Sequence, residues 1–544
     1  MTKKLLAVML LMLCLGLCIS ANADELYNVW IGGNQLHEGF TSGAGWSYDP
    51  ATNTLTLNGA NIQGIFPENY AAHAGAGIYH GDADDETTFT IKLVGTNKVT
   101  GYSAASIYPT GIKTGFDVDL VISGTGSLEA SAVAPADLSI GNGCYAIYVS
   151  YGDLTVTESA SVTAKATSND LVVYAAGMWV ESGTVTIDED ATVKAYLNHN
   201  GSKAIGGTAD VGAAIYAKHV VIDYSSVEAY TGNCMDTSSG INVLINGSVT
   251  INSGNVTAKG STGEISCGIY AGIGGLFIGE NAGTVTATGS AVVNGQSYGL
   301  SSEGGITIKG GNVIATGGNV TGSGVSCGIH AECTDYYGDV VNEVLISGGS
   351  VTATGGATNS EYGSSSYGIE ATGWLAIRGG SVVTATGGNA TAINGSAQSF
   401  GLAGMSAINI GSSTVKATAG SGDVSYGMVS DSTITLSQYG STTVEAIGNS
   451  RAIFTYDSFG GTVSGSMFTL NKAASATAAG AVTAYSFNFP ENYSNYRYFK
   501  MEPERTDVPV TGDNAPVGLL LAMCLTSFSA LIAVTYVGKK RKAE

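Results

Sequence analysis

The chain has 544 residues, including 78 glycines, and its 22 Lys and Arg against 43 Asp and Glu give a formal net charge of −21. Basic residues this sparse cannot form the cationic surface that neutralises phosphates, so the composition predicts no nucleic-acid partner. Abundant glycine with only eight prolines predicts β structure rich in turns and argues against a disordered stalk.

An export signal is predicted at the amino end. Two lysines precede an apolar stretch, and Ala21 and Ala23 are small residues of the kind that signal peptidase accepts just before its cut. Residues 1–23 are therefore interpreted as a signal peptide, removed between Ala23 and Asp24. The rest of the chain is expected to be exported.

A β cap is predicted over residues 24–70, before the repeats begin. This region contains Trp30, Trp46 and the hairpin-like phrase SYDPATNTLTL. A stack of strands has an open edge at each of its two ends, so both ends need a cap.

The densest acidic group follows the cap, at Asp82, Asp84, Asp85 and Glu86. Carboxylate oxygens at this spacing are suited to Ca²⁺. An ordinary solvated turn between two strands explains the same run, so both interpretations stay open. Calcium is the one cofactor that the sequence suggests, and no motif requires a cofactor.

A recurring phrase organises residues 71–470. Its clearest copies include SCGIYA with LFI and TVTATG (266–289) and SYGIEATGWLAIRGGSVVTATGG (366–388). Copies begin about 25 to 40 residues apart, a period typical of solenoids. Each copy holds three short segments of alternating pattern, which favours strands and excludes helices. The sequence therefore predicts an all-β fold, a right-handed single-strand parallel β-helix of about thirteen coils.

The alternation also predicts which residues stack. Inward positions of the middle segment are expected to form aliphatic ladders, and those of the third segment alternate Val with Ala. A further ladder is expected at the residue before each unit's glycine: Cys267, Tyr298, Cys327, Tyr367, Phe400 and Tyr426. Cys267 and Cys327 then lie two coils apart, roughly 10 Å, which is too far for a disulfide.

Aromatic residues on loops are the candidates for glycan contact, because flat rings with polar neighbours bind sugar faces. The largest insertion between repeats (331–343) contains Tyr336 and Tyr337 beside acidic residues, and Trp374 begins a middle segment near Tyr362. A packing role for the same rings is the alternative.

No catalytic residue is predicted. The histidines are scattered, with only His73 and His80 near the acidic run, and the chain has no P-loop, nucleophile elbow or dinucleotide fingerprint. A non-catalytic role is favoured. A polysaccharide lyase or hydrolase acting on an acidic polymer stays an alternative, because it needs clustered carboxylates, with a nearby base for a lyase. A purely structural display protein is the third.

The carboxyl end has several parts in a fixed order. A C-terminal cap is predicted at 471–502, and residues 503–544 contain a short tether, the phrase VPVTG, an apolar run and a cationic end. The apolar run of about 21 residues is long enough to cross a bilayer as a helix, and the cations keep the tail on the cytoplasmic side. A plain membrane anchor is one interpretation of this order.

This order resembles the cell-wall sorting signal of Gram-positive surface proteins. The motif residues are Val508, Pro509, Val510, Thr511 and Gly512. The resemblance implies that a sortase cuts between Thr511 and Gly512 and joins Thr511 to peptidoglycan, after transient membrane insertion through the C-terminal helix. Val508 stands where the commonest pattern has Leu, so the sortase class stays open.

The repeats resemble the Gly-rich units of clostridial cell-surface β-helix proteins that carry a carbohydrate-binding domain related to polysaccharide lyases. The phrases that carry this resemblance are of the type GGSVTATGG. It implies binding of a polysaccharide or host glycan, with adhesion as the outcome. We therefore expect an exported glycan-binding protein attached to the wall of a Gram-positive bacterium.

Overall fold

The computed structural model describes residues 25–65, 75–83, 85–102, 109–134, 142–168, 172–199, 211–332, 343–437, 442–455, 458–460, 468–477, 482–485 and 496–503. All regular structure in these residues is β-strand, which confirms the predicted all-β class.

The strands are β1 Leu26–Ile31, β2 Asn34–His37, β3 Ser42–Gly43, β4 Trp46–Asp49, β5 Thr54–Asn58, β6 Asn61–Gln63, β7 Ile78–His80, β8 Thr87–Val94, β9 Thr96–Thr100, β10 Thr110–Thr114, β11 Val118–Gly124, β12 Ser127–Val133, β13 Asn142–Val149, β14 Leu154–Val156, β15 Ser161–Ser168, β16 Val172–Val180, β17 Thr184–Ile187, β18 Thr192–His199, β19 Val211–Ile222, β20 Ser225–Thr231, β21 Thr237–Lys259, β22 Ile265–Ala271, β23 Gly275–Thr288, β24 Val292–Val293, β25 Gln296–Ser302, β26 Ile306–Ile308, β27 Asn312–Thr316, β28 Val320–Thr321, β29 Gly324–Ala331, β30 Glu343–Ile346, β31 Ser350–Thr354, β32 Thr358–Ser360, β33 Ser364–Ala371, β34 Trp374–Ile377, β35 Val382–Thr386, β36 Ala390–Ala392, β37 Ala397–Gly404, β38 Ala407–Gly411, β39 Thr414–Thr418, β40 Val424–Ser430, β41 Thr433–Ser437, β42 Thr443–Ile447, β43 Arg451–Thr455, β44 Ser458–Gly460, β45 Phe468–Ala473, β46 Val482–Tyr485 and β47 Tyr498–Pro503.

Parallel pairing arranges most strands in three ladders along the solenoid. The first ladder contains, in order, β7, β10, β13, β16, the first parts of β19 and β21, β22, β25, β29, β33, β37, β40 and β43. The second runs from β5 to β44, and the third from β6 to β42. The fold is a right-handed β-solenoid of about ten turns, whereas the repeats predict about thirteen coils.

The interior is built from the residues that the alternation predicts. The middle-segment side chains are at most 2% exposed at Leu276, Ile306, Val344, Leu375 and Ile408. The Val and Ala positions of the third segment lie in the same buried cluster, while the threonines between them are partly exposed. Burial of these aliphatic side chains is the main favourable term for the stack.

From β22 to β40 the first strand of each coil turns at one glycine, whereas Ala146, Ala214 and Ala452 occupy the equivalent position in β13, β19 and β43. These bend glycines are Gly268, Gly299, Gly328, Gly368, Gly401 and Gly427. A Cβ on Gly368 would lie 2.4 Å from the Thr386 backbone nitrogen and 2.6 Å from the Gly401 carbonyl oxygen, so only glycine fits. After the bend Ile369 faces the interior, whereas Tyr367 before it joins a separate cluster on the outer face.

A buried serine precedes each bend by two residues and connects neighbouring coils. Ser366 is typical: its hydroxyl accepts a hydrogen bond from the Gly388 backbone N–H (2.7 Å) and donates one to the Gly356 carbonyl (2.8 Å). The equivalent serines are Ser266, Ser297, Ser326, Ser399 and Ser425, and all are buried. Each hydroxyl satisfies turn groups of the backbone that would otherwise be buried without a partner.

The middle of the solenoid has a fourth short ladder, which the three-segment pattern does not predict. It consists of β24, β28, β32 and β36, paired in parallel. Val292, Val320, Thr358 and Ala390 in these strands are at most 3% exposed. The connection between the third and first ladders is long enough in these coils to add a buried strand.

Antiparallel strands close both ends. β1 pairs with β2 and with β7, so it covers the edge of the first ladder. The predicted hairpin is present as β4 and β5, and β5 starts the second ladder. At the far end β47 pairs antiparallel with β42 and β45. Strand edges that would otherwise invite aggregation are thereby paired.

The predicted ladder in front of the bend glycines is confirmed. Cys267 pairs with Tyr298, Tyr298 with Cys327, and Cys327 with Tyr367. Cys267 and Cys327 are therefore two coils apart, and both are free thiols, as expected.

Replacing Gly368 with alanine should lower the stability by about 1–3 kcal/mol, because the new Cβ collides with backbone atoms that cannot move independently. Denaturant unfolding followed by circular dichroism measures the change. Gly411→Ala is the matched control, since its Cβ would lie no closer than 3.2 Å to another atom. Equal midpoints for both variants would contradict the prediction.

Candidate functional site

Several predicted site residues lie outside the described residues. They are Ala23 and Asp24 of the signal cleavage site, His73, Asp84 of the acidic run, Tyr336 and Tyr337 of the insertion, and Val508, Pro509, Val510, Thr511 and Gly512 of the sorting motif. Their assignments stay predictions.

The acidic run lies in the turn that joins the first and second ladders in the first coil. Asp82 is exposed, and its Oδ1 accepts a hydrogen bond from the Phe116 backbone N–H at 2.9 Å. Asp85 and Glu86 are exposed as well. Among the described side chains, Asp82, Asp85 and Glu86 do not form a converging group of three His, Cys, Asp or Glu ligands, and calcium binding there stays a prediction.

Trp374 stands at the edge of the second ladder, at the start of β34. Its side chain is 54% exposed, and its backbone pairs between Glu343 and Ala407. Tyr362, predicted nearby, is also exposed, whereas Tyr367 is buried in the outer-face ladder. Trp374 is thus accessible to a ligand, and Tyr367 is not.

His80 is a buried structural residue. Its Nδ1 donates to the Gly81 carbonyl at 2.9 Å, and its Nε2 accepts from the Asn53 side-chain amide at 3.2 Å. This arrangement fits the neutral ring with its proton on Nδ1. Burial lowers the pKa of His80, and the hydrogen bond to Gly81 opposes that shift.

An open cleft of about 550 Å³ lies on the corner between the second and third ladders. Four consecutive coils supply its walls, because each contributes the turn after its second strand. The lining residues are Asp190, Ala191, Thr192, Tyr224, Ser225, Ser226, Ser253, Gly254, Asn255 and Asn281. The sequence analysis does not predict this cleft, since its residues are about 30 positions apart and belong to ordinary-looking turns.

Tyr224 projects from the cleft and is 64% exposed. Its backbone has φ 45°, in the left-handed region that Asp190 also adopts in the preceding coil. The Tyr224 backbone N–H donates to the Ser253 hydroxyl, which in turn donates to Asp223 at 2.5 Å. These bonds hold the Tyr224 backbone in a conformation that is uncommon for residues other than glycine. Such backbone conformations occur more often at binding sites.

In its early coils the first ladder carries a second column of side chains on its outer face, mostly aromatic. This column lies three positions after the residue that precedes each bend. Tyr79, Lys113, Tyr148, Trp179 and Tyr216 follow each other in register. Lys113 lies over the rings of Tyr79 and Tyr148, and Trp179 stacks on Tyr216 with centroids 3.9 Å apart. Tyr148 donates to Glu181 at 2.6 Å. The column packs largely against itself, so it stabilises the stack.

The same column continues with polar residues in later coils. His330 pairs with Glu370 of the next coil, and the distance from His330 Nδ1 to Glu370 Oε2 is 2.9 Å. Cys327 Sγ donates to the same oxygen at 3.3 Å. Among the described residues this is the one group of three possible metal ligands, with ligand atoms within 4.8 Å of one another.

A sequence signal for this group exists in the spacing. Cys327 precedes His330 by three positions, and Tyr367 precedes Glu370 by three. The ladder before the bend glycines predicts only that Cys327 and Tyr367 stack. The bend then brings residues three positions apart to one face, which strict alternation would put on opposite faces.

Comparison with protein-family models, curated proteins and solved structures finds no match to this chain. Across the described ranges there is no helix with the length and apolar character needed to span a membrane. The predicted spanning run within residues 503–544 falls outside those ranges.

Burial of His80 predicts a pH dependence of stability. Its folded-state pKa lies below the usual 6.5, so the unfolded chain binds the proton first as the pH falls. The stabilising contribution is complete above pH 6.5 and is lost below it, towards the folded-state pKa. His80→Gln should therefore reduce the drop in melting temperature between about pH 7.5 and about pH 5.5.

The matched control is His37→Gln, which alters a partly exposed histidine in β2. It should keep the wild-type drop. An unchanged drop in His80→Gln would assign the acid sensitivity to other groups.

Proposed function

We propose that this chain is an exported, wall-anchored surface protein whose β-solenoid binds a polysaccharide without catalysis. The observation that carries the proposal is the Tyr224 cleft, in which one exposed ring lies among hydroxyl, amide and carboxylate groups from successive coils. A sugar ring presents an apolar face and a rim of hydroxyls, so this combination suits it.

The composition of the cleft favours a neutral glycan. Asp190 is its one ionisable carboxylate, and its lining contains no Lys or Arg. The whole chain has a formal charge of −21, so an acidic polymer approaches against repulsion unless a cation intervenes. Ser226, Asn255 and Asn281 supply neutral hydrogen-bonding groups instead.

The same lining favours binding over hydrolysis. A glycoside hydrolase generally needs two carboxyl groups on opposite sides of the scissile bond, and a lyase needs a base near the uronate. The described lining has a single carboxylate, at Asp190. What the cleft supplies is a ring and hydrogen bonds, which orient a sugar.

Wall attachment rests on the order of parts at the carboxyl end, with Thr511 before a bilayer-length apolar run and a cationic end. A solenoid suits display, because each coil contacts only its neighbours and the body is an extended rod. Attachment through Thr511 would hold one end of this rod at the wall.

Tyr224→Ala should weaken binding to the preferred neutral glycan about tenfold, the loss expected when one stacking contact is removed. A glycan array with the purified full-length chain finds that ligand, and calorimetry on the best neutral hit measures the affinity. Tyr224→Phe should bind nearly as well, since the ring face remains.

Trp374→Ala is the matched control, because Trp374 is comparably exposed but lies on a different corner. Loss of binding in Trp374→Ala with none in Tyr224→Ala would move the site to that corner. Binding only to pectate in the presence of Ca²⁺ would contradict the neutral-glycan assignment, and turnover of any polymer would contradict a non-catalytic role.

Thr511→Ala should abolish covalent attachment, because sortase would lose the residue that it joins to peptidoglycan. Cell fractionation with a wall hydrolase and immunoblotting measures the wall-bound fraction. Ala515→Ser, beyond the motif, is the control and should stay wall-bound. Wild-type protein found only in the membrane fraction would indicate a plain membrane anchor.

A further inference from the structure

The Cys327, His330 and Glu370 group lies on the outer face of the first ladder, far along the chain from the Tyr224 cleft. β29 supplies Cys327 and His330, and β33 of the next coil supplies Glu370. Tyr298 of the preceding coil stacks on the His330 ring with centroids 4.7 Å apart and an interplanar angle of 9°. This contact fixes the plane of the ring, and Nδ1 lies 2.9 Å from Glu370 Oε2.

The distances suit a small cation. In a tetrahedral zinc site, ligand atoms about 2.0–2.3 Å from the metal lie about 3.5 Å from one another. Here Glu370 Oε2 is 2.9 Å from His330 Nδ1 and 3.3 Å from Cys327 Sγ. A cation between them requires only small side-chain movements.

The Glu370 carboxylate is largely buried, which favours a positively charged partner beside it. Glu370 is 9% exposed, and Cys327 is fully buried in a cluster with Tyr298, Tyr367 and Phe400. In the described part of the chain His330 is the one basic group that pairs with Glu370. The carboxylate is held by the Cys327 thiol, the His330 ring and the Tyr367 hydroxyl, and a bound cation would replace the first two of these contacts with coordination bonds.

We propose that Cys327, His330 and Glu370 bind one Zn²⁺ ion, with the fourth position open to water. Sulfur, nitrogen and oxygen ligands together are the set that zinc accepts, whereas Ca²⁺ and Mg²⁺ prefer oxygen alone. Three protein ligands leave one coordination position free. Binding releases the Cys327 thiol proton to solvent.

The group does not suit a cysteine nucleophile. Cys327 donates to Glu370 and not to His330, and its sulfur is buried from substrate. Burial and the neighbouring carboxylate raise the pKa of this thiol well above its usual range. Coordination to a divalent cation has the opposite effect on the thiol, because it favours the deprotonated thiolate.

The ion would connect two adjacent coils, so its binding should stabilise the folded solenoid. The full-length chain, prepared with reductant and then freed of metal, is titrated with Zn²⁺ against a chromophoric chelator. We expect one tight site and a higher melting temperature with Zn²⁺. Co²⁺ in place of Zn²⁺ should show thiolate-to-metal charge-transfer absorption.

Each of Cys327→Ser, His330→Gln and Glu370→Gln should weaken Zn²⁺ binding by at least about tenfold. Removal of a residue that only orients a metal ligand already costs about that much affinity, and removal of the ligand itself should cost more. Cys327→Ser should also remove the charge-transfer band. Cys267→Ser is the matched control: Cys267 is buried in the same ladder, but Tyr270 and Ser301 stand where His330 and Glu370 would be needed. It should bind as the wild type does.

Absence of tight Zn²⁺ binding by the wild-type chain would overturn the proposal. Cys333 follows β29 in the sequence and lies outside the described residues. Binding that survives in Cys327→Ser but is lost in Cys333→Ser would overturn the proposal as well, by assigning the ion to that thiol. Melting temperatures of the metal-free variants separate lost binding from lost folding. Should Cys327→Ser fail to fold, unchanged affinity in both Glu370→Gln and His330→Gln would refute the site.

Discussion

The coils from β22 to β40 depend on one close backbone contact, in which the bend glycine of the first strand touches the third strand of the same coil. At Gly368 the space for a side chain is occupied by backbone atoms of Thr386 and Gly401. The contact sets how narrow the coil is, and it turns the chain so that Ile369 enters the core while Tyr367 leaves it. Ser366 then ties the turn to its neighbours through its buried hydroxyl. Because these elements recur in register, each coil is a template for the next.

The outer face gains its chemistry from this regularity. Parallel, in-register pairing places equivalent residues about 4.8 Å apart, so a column of side chains interacts along the whole first ladder. Early coils fill the column with aromatic residues around Lys113, and later coils fill it with His330 and Glu370. Because the scaffold is the same in successive coils, a local change of residue type creates a different environment, from a cation over aromatic rings to a group of cysteine, histidine and glutamate side chains.

The turns contribute in another way. They lie outside the pairing, so they tolerate bulk, polarity and unusual backbone angles that the strands exclude. The corner between the second and third ladders uses this freedom at Asp190, Tyr224 and Gly254, which all have positive φ. Their coils hold the three turns side by side, and the cleft results from this adjacency. A rigid rod with chemistry on its corners and one face is well suited to contact with an extended polymer, because a long ligand can meet several coils.

Much of the architecture follows from the sequence alone. The period, the inward Leu, Ile and Val positions and the Cys267 to Tyr426 ladder are predictable, because side chains alternate locally and each repeat has the same core to fill. The Tyr224 cleft, the meeting of His330 with Glu370 and the fourth ladder are not predictable in this way. They require the bend at the glycine and the stacking of coils about 30 residues apart. Local alternation determines which residues point inward; only the stacked coils decide which outward residues become neighbours, because that depends on contacts between coils.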